Sequence, residues 1–167
     1  TDWGNNESIE ETSPLGYFTY EITTPWKVIA SASTILNKQF LISAEIEKTD
    51  YSFSRFHSDY YQFTQENNLI NDTYTTATNI RLGGEANFHP LKLRAGYALY
   101  GSPFKDREEF ETENYSAGIG VDFGSTFLDM SYTISKNNSE YNIYSSENST
   151  DVINEKHYLM FTLGFRY

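Results

Sequence analysis

Glu45 and Glu47 stand two residues apart in the run Gln39–Lys48, on one side of any extended strand that carries them. Two carboxylates so placed are the smallest set that could do glycosidase-like acid–base chemistry. The same spacing more often gives a solvated or lumen-facing row of charge, and nothing else in the chain completes a catalytic set. His57, His89 and His157 are scattered, and no Ser-His-Asp arrangement surrounds them. There is no phosphate-cradling glycine loop, zinc-ligand spacing or nucleophile elbow. Cysteine is absent, which removes thiolate chemistry and a disulfide framework. The charged run from Lys105 to Glu113 lacks the spacing and the glycine of an EF-hand and reads as a solvated loop. No catalytic residue, metal site or cofactor is expected.

Two other groups remain. Arg81, Glu85 and Arg94 carry opposite charges at spacings that bring them onto one strand face, where Glu45 and Glu47 could join them in a lumen charge network. Arg94 is expected diagonal to Glu85 and in contact with it. The aromatic residues Tyr51, Phe53, Phe56, Tyr60, Tyr61 and Phe63 crowd into the long segment 49–75. Loops beyond ~12–15 residues are usually functional or disordered, and this one is too aromatic for plain disorder. These six are the candidate contacts for a hydrophobic ligand. An extension of strands above an aromatic girdle is the plainer alternative.

The elements that must position these residues are strands. From Thr76 to Ser102 the chain alternates: Ile80, Leu82, Gly84, Ala86 and Phe88 fall on one side, and Asn79, Arg81, Gly83, Glu85 and Asn87 on the other. After His89-Pro90 the alternation resumes, with Leu91, Leu93, Ala95, Tyr97 and Leu99 opposed to Lys92, Arg94, Gly96, Ala98 and Tyr100. Such an antiparallel hairpin has arms of about ten residues, longer than the common ~5–6 and close to the ~9–11 that a tilted strand needs to cross a bilayer. Similar runs span 16–24, 26–36, 39–48, 115–123, 126–135 and 155–167, about eight strands in all. Gly124-Ser125 has the glycine-first order of a two-residue hairpin turn. Short turns at Asn37-Lys38, His89-Pro90 and Gly124-Ser125 alternate with long connections at 49–75, 103–114 and 137–154, the layout of an outer-membrane barrel. No helix is expected. Residues 1–15 read as a polar loop or tail.

The totals agree with such a barrel. A mean hydropathy of -0.57 excludes a helical membrane protein but not a barrel, whose strands hide one apolar face in a polar average. Aromatic residues make up 17% of the chain, enough for interfacial girdles. A net charge of -11 argues against nucleic acid as a partner. The expected fold class is thus all-β, an antiparallel transmembrane β-barrel. Leu82, Phe88, Leu93, Tyr97, Leu99, Ile119, Leu128, Met130, Phe161 and Phe165 should face lipid, and Arg81, Glu85, Arg94, Asp122 and Asp129 should face inward.

Three stretches together resemble the C-terminal part of the outer-membrane fatty-acid and aromatic-hydrocarbon transporter (FadL-like) family. They are Tyr20-Glu21-Ile22-Thr23-Thr24-Pro25-Trp26; Asp50-Tyr51-Ser52 followed by Asn79-Ile80-Arg81-Leu82-Gly83-Gly84-Glu85 and Leu93-Arg94-Ala95-Gly96-Tyr97; and the closing Thr162-Leu163-Gly164-Phe165-Arg166-Tyr167. The resemblance covers roughly residues 16–167. It implies a larger barrel of about fourteen strands, passive uptake of hydrophobic small molecules, and location in the bacterial outer membrane. It also implies recognition of the closing aromatic strand by the barrel-assembly machinery. Partners are then outer-membrane lipid, a hydrophobic ligand, and the remainder of the barrel or other subunits. Segments 16–24 and 155–167 are expected to pair with strands outside this chain and not with each other. A non-transporting structural or accessory barrel within an outer-membrane complex is the alternative function.

Overall fold

In the computed structural model of the chain, residues 19–107, 110–142 and 149–166 are described, with 139–142 and 149–151 as backbone only. The polar segment 1–15, the start of the expected first strand at 16–18, and Tyr167 lie outside those residues. The protein is all-β, dominated by one seven-stranded antiparallel sheet. Its strands are β2 (Lys27–Leu36), β3 (Phe40–Asp50), β5 (Thr76–Phe88), β6 (Leu91–Tyr100), β7 (Thr112–Asp122), β8 (Thr126–Asn142) and β9 (Ser149–Phe165), hydrogen-bonded in that order. A second, two-stranded sheet pairs β1 (Glu21–Thr23) with β4 (Arg55–His57).

Alternation explains the large sheet. Registers such as Phe40↔Ala86↔Leu93↔Ile119↔Met130↔Phe161 string apolar side chains across one face, row upon row. The opposite face carries rows such as Ser43↔Gly83↔Gly96↔Ser116↔Thr133 and the charged residues. Small residues let neighbours lie across that face: a Cβ on Gly83 would come 2.8 Å from Ser43 Oγ, and one on Gly96 2.7 Å from Ser116 Oγ. Among the described residues the only buried hydrophobic one is Ala77, at 3% exposure. No second layer packs on the apolar face there.

The short turns gather at one end of the sheet. Asn37 and Lys38 take left-handed φ values of 50° and 58° to reverse the chain between β2 and β3. Gly124, at φ 87°, opens a two-residue turn closed by a hydrogen bond from Phe123 N to Thr126 O. That is the geometry for which a glycine is needed at the first central position. At the other end lie the long connections. Beyond the Thr112↔Asn137 pair, β8 and β9 continue as a hairpin with no β7 beside it, so residues 137–142 and 149–154 are strand, not loop.

Three expectations are corrected. The described part of segment 16–24, residues 19–24, does not join the large sheet. It supplies only the three-residue β1, which pairs within the chain with β4. Pro25 separates it from β2, where a missing donor would interrupt a ladder. Secondly, segment 49–75 is ordered structure and not an open loop. Its first residues extend β3, and then come a 3₁₀ turn (Tyr51–Phe53), β4 and a helix, α1 (Thr64–Thr73). Thirdly, α1 itself was not expected. Its sequence TQENNLINDT offers one apolar pair, Leu69-Ile70, and several weak helix formers, too little for a recognisable stripe. It is fixed by tertiary bonds: Asn67 Oδ1 accepts from Phe56 N at 2.8 Å, and Asn67 Nδ2 donates to Phe56 O at 2.9 Å. No helix among the described residues is long and apolar enough to cross a membrane.

Candidate functional site

The turns set the register that assembles the charges. Phe88 pairs with Leu91, so Glu85 lies directly opposite Arg94 and not diagonal to it. Arg94 Nε donates to Glu85 Oε2 at 2.7 Å, and its Nη1 donates to Asp129 Oδ1, also at 2.7 Å. Gly118 and Gly120 leave the space this guanidinium crosses: a Cβ at Gly118 would lie 3.6 Å from Arg94 Cβ, and one at Gly120 3.5 Å from its Nη1. Arg81 is not part of that trio. It binds Glu45 and Glu47, the latter at 3.4 Å, while its guanidinium lies 5.2 Å from the Tyr100 ring centroid. The five network residues therefore fall into two clusters on one face. Glu45 and Glu47 both engage the same cation.

Sequence reasoning missed Lys27 and Asn79, which complete the second cluster. Lys27 Nζ lies 3.2 Å from Glu47 Oε1, and Asn79 Nδ2 donates to the same oxygen at 2.9 Å. Glu47 is only 6% exposed, beside Thr49, Ala77 and Asn79 in the buried corner of the sheet. A third cluster joins Lys92 and Arg166 to Asp122, at 3.6 and 3.0 Å. The Glu85–Arg94 pair across the short turn and the meeting of Arg81 with Glu45 and Glu47 on one face were readable from alternation; the parts played by Lys27 and Asn79 were not.

Of the aromatic candidates, three come together. Phe63 has ring centroids of Phe56 at 5.4 Å and Tyr61 at 4.8 Å, and Tyr20, outside the expected set, lies 6.4 Å away. Tyr51 and Phe56 line a neighbouring cleft of about 330 Å³ with Ile22, Ser54, Arg55, Ile70 and Tyr74. Arg55 turns one end of its guanidinium inward to the chain, with Nη1 donating to Ser52 O at 2.6 Å and Ser54 O at 2.7 Å. Phe53 and Tyr60 stand apart from the described ring contacts as largely exposed side chains, Tyr60 at 86%. Tyr61 donates its hydroxyl to Glu66 Oε1 at 3.1 Å, and that bond to a carboxylate holds the phenol above its ordinary pKa. The connection after β6 belongs to the same layer. Phe104 stacks on Tyr74 at 5.3 Å and meets Phe110 at 5.2 Å.

On the apolar face, a polar row marks the end nearest the long connections. Tyr97 and Tyr115 donate to the two oxygens of Glu113 at 3.2 and 3.0 Å. On the β8–β9 arm, Tyr132 Oη lies 2.6 Å from His157 Nδ1, and Glu155 joins His157 to Lys136 at 3.2 and 3.4 Å. Among the described residues no cluster of three or more His, Asp or Glu side chains is arranged to hold a metal ion.

Fold and site define a class: an antiparallel all-β protein with one apolar and one ion-paired sheet face, capped at one end by an aromatic loop layer. No protein-family model matches the chain, and no curated protein matches it.

Proposed function

We propose that this sheet is part of the wall of a bacterial outer-membrane β-barrel for passive uptake of hydrophobic small molecules. The observation that carries the proposal is the uncovered apolar face. It runs through all seven strands with large side chains such as Leu82, Leu93, Met130 and Phe161 exposed. In water a contiguous apolar surface of this extent is an aggregation hazard; against lipid it is the ordinary outer wall of a barrel. The charged face then lines the lumen. The row Tyr97, Glu113, Tyr115, Tyr132 and His157 is where an aromatic belt would meet the headgroups, with hydroxyls held by polar partners. The family resemblance of the sequence points the same way.

Strand direction bears on closure. Every neighbouring pair from β2 to β9 is antiparallel, so β2 and β9, six steps apart, run the same way. Joining them directly would make a parallel seam, whereas outer-membrane barrels are antiparallel with an even strand count. The complement that closes the wall therefore has an odd number of strands, which a total of about fourteen satisfies. It supplies the partners that the edges of β2 and β9 require in lipid.

The cleft of Tyr51, Phe56, Ile70 and Tyr74, with the Phe63 ring cluster beside it, is the site where a hydrophobic molecule would leave water on this reading. The test compares cells with and without the intact gene product for uptake of a radiolabelled long-chain alkane. Uptake should fall severalfold on deletion and again with Phe56→Ala. Equal uptake in all three would remove transport. The structural alternative, an accessory barrel that carries nothing, draws support from the polar face, where three ion-paired clusters tie strands of the sheet together. It predicts equal uptake and loss of a co-purifying outer-membrane complex on deletion.

A further inference from the structure

The buried corner around Glu47 links the charged face to the loop layer through one side chain. Asn79 Nδ2 donates to Glu47 Oε1, and Asn79 Oδ1 accepts from Gly101 N at 3.1 Å. The two ends of the amide are thus assigned by their partners, a carboxylate on one side and a backbone N–H on the other. Gly101 N also points to Thr78 O at 3.1 Å. The chain leaving β6 is pressed so closely on β5 that a Cβ at Gly101 would come 2.6 Å from Thr78 O and 3.0 Å from Thr78 N.

Beyond Gly101 the chain buttresses the wall of the cleft. Pro103 O accepts from Thr75 N at 2.9 Å, and Lys105 N donates to Thr73 O at 2.9 Å. These bonds set Phe104 against Tyr74, whose ring lines the cleft. From Gly101 to Tyr74 the path is short and made of backbone bonds, so a shift at its start is carried to its end. Glu47 in turn is held by Lys27 and Arg81 from two other positions on the charged face.

We propose that Glu47 and Asn79 form a positioning latch: the pair anchors Gly101 and so sets where Phe104 holds Tyr74 in the cleft. Both are positioning residues, since neither lines the cleft. The cleft's role as a ligand site rests on the function proposed above; the latch itself does not.

Hydrogen exchange of segment 101–107 and the fluorine resonance of 3-fluorotyrosine at position 74 test the latch, measured on the intact gene product in lipid vesicles. Asn79→Leu removes both side-chain bonds, and exchange at 101–105 should accelerate by roughly two- to tenfold, the effect of losing one neutral hydrogen bond at Gly101 N. The Tyr74 resonance should move or broaden. Gly101→Ala, which leaves Glu47 and Asn79 intact, should produce the same two changes. The paired swap Asn79→Asp with Glu47→Gln reverses donor and acceptor between the two side chains while keeping an acceptor for Gly101 and the net charge; it should restore slow exchange. Unchanged exchange in Asn79→Leu, or failure of the paired swap to restore it, overturns the latch. If Tyr74 shifts as expected but alkane uptake does not change, the latch stands and the cleft loses its role as a ligand site.

Discussion

Leu93→Arg separates the environments open to the apolar face. Leu93 lies in the row Phe40, Ala86, Leu93, Ile119, Met130 and Phe161, flanked on β6 by Leu91 and Ala95, and is 43% exposed with no side chain layered over it among the described residues. If water bathes this face, the change is a surface substitution worth within about ±0.5 kcal/mol. If lipid bathes it, an arginine near the bilayer midplane costs about 2–4 kcal/mol, falling toward ~0–1 near an interface. The first range is at most about a twofold change in the folding constant; the second is roughly 30- to 900-fold. The assay is reversible unfolding of the intact gene product in vesicles by guanidinium, followed by tryptophan fluorescence, with Thr133→Arg on the charged face as control. A protein layer would also reject arginine, so Leu93→Trp is the companion. Fluid lipid accepts the larger ring and brominated acyl chains quench it, whereas a close-packed layer is overfilled at about 1–3 kcal/mol. A Leu93→Arg penalty below about 0.5 kcal/mol in vesicles, together with no quenching of Leu93→Trp by brominated acyl chains, refutes the lipid-facing assignment.

Three further substitutions probe the polar face and the loop layer. Arg94→Met leaves Glu85 and Asp129 facing one another without their shared cation; because all three are partly solvated, the expected loss is about 1 kcal/mol and shrinks in high salt, read from unfolding midpoints in low and high salt. Thr49 is 2% exposed and its hydroxyl has no hydrogen-bond partner among the described residues, so Thr49→Val should leave stability unchanged or raise it by up to about 1 kcal/mol in the same assay. Glu66→Gln removes the carboxylate that raises the Tyr61 phenol, so Tyr61 should titrate closer to its ordinary value in carbon-13 tyrosine NMR. The sign is that of a raised folded-state pKa: the Glu66 bond contributes stability below the ordinary tyrosine range, and that contribution disappears as pH rises through the folded value. An unchanged Tyr61 titration in Glu66→Gln would contradict the assigned hydrogen bond.

Features that depend on near neighbours are legible in the residues alone. Period-2 alternation names a strand and both its faces, because successive side chains leave opposite sides of the pleat whatever lies beside it. Leu93 and Arg94 were therefore assignable to opposite faces, and a turn of two residues brought Glu85 and Arg94 together without knowledge of the rest. Even there the register moved the pair from diagonal to directly opposite, since it turns on which residues close the hairpin. Contacts across long connections depend instead on the assembled fold. Arg81 was expected to share a face with Glu45 and Glu47, but nothing local marked Lys27 or Asn79 as completing that cluster, and Asn79 reaches Glu47 across the whole of segment 49–75. Asp122 and Arg166 are likewise joined by the sheet and not by spacing. The loop layer was least legible. α1 lacks an apolar stripe and takes its anchorage from the Phe56 backbone, and β1 finds a three-residue partner in β4 in place of the large sheet. Short, polar elements carry too little intrinsic preference to declare themselves; the contacts that select their conformation come from residues far away in the chain.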